Sequence, residues 1–176
     1  FWEGNRPIPS SARGGHFIQD TLGRWYLCIN VDVPDHPVAC GDNQVGIDLG
    51  LSTLAVGSDG TRIPNPVFLR QYEKAIAVAQ RAGNKRRVRA IHAKIANARK
   101  DHLHKASAKI ARENQFIVVG NVSASKLVKT RLAKSVSDAG WSMFRTMLAY
   151  KSERHGATCI EADERWTSAT CSACGT

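Results

Sequence analysis

The sequence predicts an α/β domain: a mixed sheet with helices on its faces, interrupted by one long helical insertion. Three observations carry this. Short strands joined by tight turns fill residues 45–64, a helical stretch of more than forty residues follows, and a continuous apolar strand at 115–120 is succeeded by a helix and a last strand. With 176 residues and 43% hydrophobic content, the chain has enough apolar material for a proper core.

The first element is a hairpin. "HFIQ" leads into a turn at "DTLG", after which Trp25, Leu27, Ile29, Val31 and Val33 alternate with Tyr26, Cys28, Asn30 and Asp32. That is the pattern of a half-buried antiparallel pair. It places Trp25 in a core, with stacking on bases as the other reading for Trp25 and Tyr26. The next stretch, "PDHPVACGDNQ" (34–44), is a linker by its prolines and its Gly-Asp-Asn cluster, and sets a domain boundary near residue 40.

Strands are expected at 45–51 and 53–57, then a turn at "SDG" and a short strand before Pro64. From about Phe68 to Asn114 the composition is helical, with one break at "AGN" (82–84). Val88, Ile91, Ile95 and Ala98 keep one stripe apolar, and Leu103, Ala106 and Ile110 continue it after a small phase slip, giving a helical hairpin with a basic outer face. "QFIVVG" (115–120) has no polar alternation, as in a strand covered on both faces and parallel to a neighbour. A basic segment, "SKLVKTRLAKS", leads to a helix from about Ser137, which can cap it, to Gly156, which suits its end. Its core stripe is Trp141, Phe144 and Leu148, flanked by Met147 and Tyr150. "ATCIEA" (157–162) is the last strand.

Charge narrows the function. The chain carries +10, and the segment from Arg70 to Arg112 alone holds thirteen Lys and Arg against two acids, so the remainder is close to neutral. A concentrated basic face points to a polyanion partner, with a solvated helix face as the plain alternative. Lys85, Arg86, Arg87 and Arg89, then Lys94, Arg99, Lys100 and Lys105, recur at spacings suited to the phosphates of a duplex. No apolar run is long enough to span a membrane and no signal-peptide layout opens the chain, so a cytoplasmic location is expected. Five cysteines at irregular spacing argue against a disulfide framework. The opening "FWE" and the absence of any methionine before Met143 suggest a piece of a longer protein.

Two small patterns carry chemistry. In "VGIDLGLSTLAVGSDG" (45–60), Asp48 interrupts an apolar strand, where a carboxylate needs a hydrogen bond, a partner or a metal. The flanking Gly46 and Gly50 leave room for close approach. Bonding of a turn amide is the alternative. Cys171 and Cys174 have the knuckle spacing of half a four-cysteine Zn²⁺ site. A redox pair lacks its βαβ context here, and free thiols are the remaining reading.

These stretches together resemble the TnpB family, transposon-encoded RNA-guided DNA endonucleases related to compact CRISPR effectors. "GIDLGLSTLAVGSDG" is similar to the opening strand pair of their RuvC nuclease domain, an RNase H-like fold. "GHFIQDTLGRWYLCINVDV" resembles the end of their wedge domain, an oligonucleotide-binding type of barrel. "NARKDHLHKASAKI", "GNVSASKLVKTRLAKSVSDAGWSMFRTMLAYK" and "TSATCSACG" resemble the helical insert, the fourth strand with its following helices, and the first half of the zinc-binding segment. The resemblance implies a wedge-like remnant at 1–40, an RNase H-like (RuvC) domain at 41–164 with its insert at 68–114, and half a zinc segment at 165–176. It also implies DNA and a guide RNA as partners, held by the basic insert and sequence-read by base pairing.

Phosphodiester cleavage of this kind uses two divalent cations, here Mg²⁺, held by carboxylates from adjacent strands. Asp48 matches the family's first metal-binding aspartate. The second acid belongs at the end of the fourth strand, where this chain has Asn121, a neutral and weaker ligand. The third follows a second cysteine pair, beyond Thr176; Asp163 and Glu164 do not match it and read as surface residues. His102 and His104 lie two apart, a poor metal pair, and read as packing or hydrogen-bonding groups. One of three expected carboxylates is present, so the chain alone is expected not to cut DNA. It reads as a fragment of such an endonuclease or, alternatively, as a nuclease-dead nucleic-acid-binding module from the same family.

Overall fold

A computed structural model describes residues 8, 10–32, 41–121 and 130–163. The expected linker lies largely outside these residues, as do Glu164 and the cysteine pair Cys171 and Cys174. Strand β1 (Ala12–Gln19) pairs antiparallel with β2 (Trp25–Val31), Phe17 opposite Leu27 and Gln19 opposite Trp25. Asp20 Oδ1 accepts from the amides of Leu22 and Arg24, both at 2.9 Å, and Gly23 takes the left-handed conformation the turn needs. The half-buried expectation fails here. Phe17 is 71% and Trp25 66% exposed, so Trp25 does not pack in a core. The physical reason is that the pair forms a sheet of its own, and two strands alone cannot bury either face.

The main sheet has the order β5-β4-β3-β6-β7. Strands β3 (Asn43–Leu49), β4 (Thr53–Gly57) and β5 (Arg62–Pro64) form an antiparallel meander, β3 starting and ending two residues before its expected bounds. On the other side of β3 run β6 (Asn114–Gly120) and β7 (Thr158–Ala162), both parallel to it. Parallel strands need crossovers, and two helical segments supply them. The first crossover is α1 (Phe68–Arg81) and α2 (Lys85–Glu113), separated where Gly83 turns left-handed and Asn84 Oδ1 caps α2 by accepting from Arg87 N at 2.9 Å. The second contains α3 (Ala133–Ala139) and α4 (Trp141–Arg154).

The single helix expected from Ser137 is thus two helices, and Ser137 lies inside α3 instead of capping anything. Gly140 makes the break, at φ 69°, and a Cβ there would come within 3.1 Å of Leu103 Cδ1. The end is as expected: Gly156 is left-handed, and Ala157 N closes onto Ser152 O at 2.8 Å.

Val45, Ile47, Leu49, Ile117 and Val119 project from the sheet onto Leu103 and Ile110 of α2 and Trp141, Phe144 and Leu148 of α4. A separate cluster of Ile76, Ala79, Ile91 and Ile95 holds α1 to α2. The apolar run of β6 is covered on one side only among the described residues. Ile117 and Val119 are fully buried, whereas Phe116 and the neighbouring Ile160 of β7 are 36% and 44% exposed, which corrects the expectation of helices on both faces. No described helix is long and apolar enough to cross a membrane.

Candidate nucleic-acid interface and metal position

Asp48 stands on the central strand, where the strand order reverses: β4 and β5 lie to one side of β3, and β6 and β7 to the other. Open α/β sheets bind ligands at the carboxyl ends of strands at such a switch. Val45, Ile47 and Leu49 point into the core, and Asp48, on the alternate side, is exposed. The turn after β3 closes through Gly50 N to Leu54 O at 3.2 Å, so that amide does not use the Asp48 carboxylate. Gly50 is required by this turn, since a Cβ would meet Thr53 O at 2.9 Å. Gly46 faces Ser58, whose Oγ accepts from Gly46 N at 3.0 Å.

Asn121 follows β6, one strand away. Its amide N donates to Ala162 O at 2.7 Å, which continues the β6–β7 pairing. Its side chain meets α4: Arg145 Nη1 donates to Asn121 Oδ1 at 2.5 Å and to Glu161 Oε2 at 3.1 Å. Asp48 and Asn121 therefore stand on adjacent strands with side chains turned to different sides. Among the described residues no group of three or more His, Cys, Asp or Glu could hold a metal ion. Arg145 and Glu161 had no signal in the sequence, because their meeting depends on how α4 crosses β7.

The basic residues of α2 do not form a single face. Arg86 and Arg89 line a groove of about 780 Å³ against the hairpin turn, which contributes Asp20 and Arg24. There Arg24 Nε donates to Asp20 Oδ2 at 2.7 Å. Burial alone would raise the Asp20 pKa, but hydrogen bonds from Arg24, Leu22 and Tyr26 together hold it at about 2. Lys105 borders a second cavity, of about 300 Å³, between α2 and the β-meander, together with Lys109 and Arg62. Lys100 lines a third, against Met143 and Tyr150 of α4. Lys85 and Arg87 are exposed, and Lys94 lies 5.2 Å from the Tyr72 ring centre, a cation–π contact.

Arg99 differs from the other seven. Its Nη2 bonds Asp138 Oδ1 at 2.6 Å and its Nε bonds the Asp138 carbonyl at 2.8 Å, while Asp138 Oδ2 accepts from Leu69 N at 2.9 Å. The Asp138 side chain is 3% exposed. Three helices, α1, α2 and α3, are tied at this point, and little of the guanidinium is left for a phosphate. Of the histidines, His102 Nε2 donates to Pro64 O at 3.1 Å and stands edge-on to Phe68. His104 Nδ1 lies 3.5 Å from Tyr150 Oη, and Lys151 Nζ donates to His104 O and to buried Ser107 Oγ. Burial lowers the Lys151 pKa.

Comparison with known proteins adds to this geometry. Residues 26–131 match the profile of OrfB_IS605, described as "Probable transposase", and residues 141–176 match that of the Cas12f1-like TNB domain. A Streptomyces pristinaespiralis protein named "Putative RNA-guided DNA endonuclease" is 34% identical over 98% of this chain and 47% of its own length. "Putative RNA-guided DNA endonuclease InsQ" of Escherichia coli (strain K12) is 28% identical over 90% of this chain and 46% of its own. The chain thus spans about half the length of the curated relatives it matches. In fold it is similar to a chain of the "Cryo-EM structure of the Cas12f1-sgRNA-target DNA complex", with a TM-score of 0.53 at 19% identity over 89% of this chain and 44% of that one.

Proposed function

The chain belongs to the OrfB_IS605 transposase family, that of TnpB, and from this premise we propose that it is the RuvC-like, nucleic-acid-holding part of an RNA-guided DNA endonuclease. One observation carries the reading. The first strand of the main sheet, β3, bears Asp48 and hydrogen-bonds in parallel to the fourth, β6, as an RNase H-like arrangement requires. Relatives bearing the same description, and a structural neighbour solved with guide RNA and target DNA, support it. The partner is an RNA–DNA duplex held by its backbone, with Lys85, Arg86, Arg87, Arg89, Lys94, Lys100 and Lys105 making phosphate contacts.

Divalent cations, when bound in this family's site, activate the attacking water and stabilise the leaving oxygen. The exposed carboxylate of Asp48 suits one such hard cation. The described residues do not fit a two-cation site: Asn121 is neutral, its Oδ1 accepts from Arg145, and no group of three or more His, Cys, Asp or Glu among them could hold a metal ion. Phosphodiester cleavage is therefore assigned to the family, and this chain by itself binds without cutting. The Arg145 contact also favours the nuclease-dead module over an intact enzyme as the second reading. Cys171 and Cys174 are proposed as half of a Zn²⁺ site, supported by the TNB-domain match over 141–176.

Incubation of the 176-residue chain with a guide RNA–target DNA duplex and Mg²⁺ tests this. Tight binding without cleavage, unaffected by Asp48→Ala, is the expected result. Mg²⁺-dependent cleavage lost in Asp48→Ala would contradict the inactive assignment, and failure to bind would contradict the nucleic-acid role.

A further inference from the structure

Three groups meet at the carboxyl ends of β6 and β7. Arg145, on α4, donates from Nη1 to Asn121 Oδ1 and to Glu161 Oε2, and its side chain is only 15% exposed. We infer that position 121 is an anchor for this guanidinium and not a metal-ligand position: Asn121 and Glu161 hold Arg145 as a fixed positive charge at the strand ends. The inference rests on the RuvC-like reading, since that reading is what assigns a metal to this end of the sheet.

Charge sets the two roles against each other. A guanidinium is always charged and is donor only, and its bond to Oδ1 takes one of the two lone pairs on the only atom of Asn121 that a hard cation would use. A divalent cation on the same oxygen would sit within a few ångströms of a like charge, in a partly desolvated place where such repulsion is strong. The backbone leaves little slack. Val119 is paired with Glu161, and Asn121 N is bonded to Ala162 O, so β6 and β7 present the two acceptors to α4 in fixed register. Asp48 lies on the side of the sheet away from the buried core, while the Asn121 side chain is held by Arg145 of α4. A carboxylate placed at 121 would first form a stronger, charge-assisted bond to Arg145. It would strengthen the anchor before it built a metal site.

Mn²⁺ titration calorimetry and metal-free thermal unfolding of the full 176-residue chain separate the possibilities. Asp48→Ala is expected to weaken Mn²⁺ binding at least about tenfold, since losing even a hydrogen-bonding partner of a ligand typically costs that much. Asn121→Ala and Asn121→Asp should both leave it within about twofold of the parent, the usual tolerance for independent sites. Without metal, Asn121→Asp should raise the Tm, and Asn121→Ala combined with Arg145→Gln should lower it by clearly less than the two single losses together. A tenfold tightening by Asn121→Asp, a loss in Asn121→Ala matching that of Asp48→Ala, or additive Tm losses would overturn the inference. Mn²⁺ affinity indifferent to Asp48→Ala would instead overturn the RuvC-like metal assignment, leaving the anchor to be judged by the Tm coupling alone.

Discussion

Arg99 and Arg145 both turn inward from their helices, and each ties a helix to a different element. Arg99 meets a full carboxylate that is itself buried, Asp138, which is also bonded to the amide at the start of α1. Arg145 meets a neutral amide and a carboxylate, Glu161, that is 50% exposed. In the first case charge is matched by charge inside the helical layer, and the result is a joint between α1, α2 and α3. In the second the charge is only partly matched, at a strand end where the fold's chemistry would be expected. Burial of an arginine therefore says little by itself. The acceptor decides whether it is a joint or a fixed charge beside a site.

The strongest way to break this comparison is at Asp138. Asp138→Ala leaves Arg99 charged and turned inward without a partner, and should cost about 3–5 kcal/mol in urea unfolding. A cost below about 1 kcal/mol would make the pair equivalent to a surface ion pair and remove the contrast. Arg145→Gln should cost less, about 1–3 kcal/mol by the same measurement, because Asn121 and Glu161 lose a donor but Glu161 keeps its water.

A pH series sharpens the helical side further. His104 has its pKa lowered from 6.5, first by burial, then by Lys151 and Lys100, against a smaller opposing pull from Asp101. A depressed folded value means that the unfolded chain takes up the proton more readily. The contribution is full above the ordinary histidine value and is lost as pH falls through the depressed one. Denaturation midpoints should decline between pH of about 7 and about 5, and His104→Gln should remove that part of the decline. The smallest effect is expected at Lys105, paired with Asp101 at 2.7 Å with both side chains mostly exposed. Lys105→Gln should change stability by less than about 0.5 kcal/mol.

The sequence made the meander, the break at Gly83-Asn84 and the strand at 115–120 legible, because turn residues and apolar periodicity are local signals. The phase slip between Ile95 and Leu103 was visible too, and Arg99 lies within it, on the way to Asp138. That slip is the signal that could have removed Arg99 from the phosphate-binding set. The hairpin misled for a different reason: alternation in Trp25–Val31 reports what the strand can bury, not whether anything covers it. The break at Gly140 was hidden by a favourable capping residue at Ser137. Asp48 was legible as a carboxylate interrupting an apolar strand and Asn121 through motif resemblance, but the Arg145 contact needed the crossing of α4 over the sheet, which no local pattern encodes.

The central claim is that the basic insert holds a nucleic-acid backbone. Fluorescence anisotropy with an RNA–DNA duplex, titrated with the 176-residue chain from about 50 to about 200 mM salt, tests it most directly. The predicted result is an affinity loss of at least about a hundredfold over that range, with the log–log slope reduced by about one for each of Arg86→Gln and Arg89→Gln. An affinity that hardly changes with salt, or a slope indifferent to both substitutions, would contradict the account.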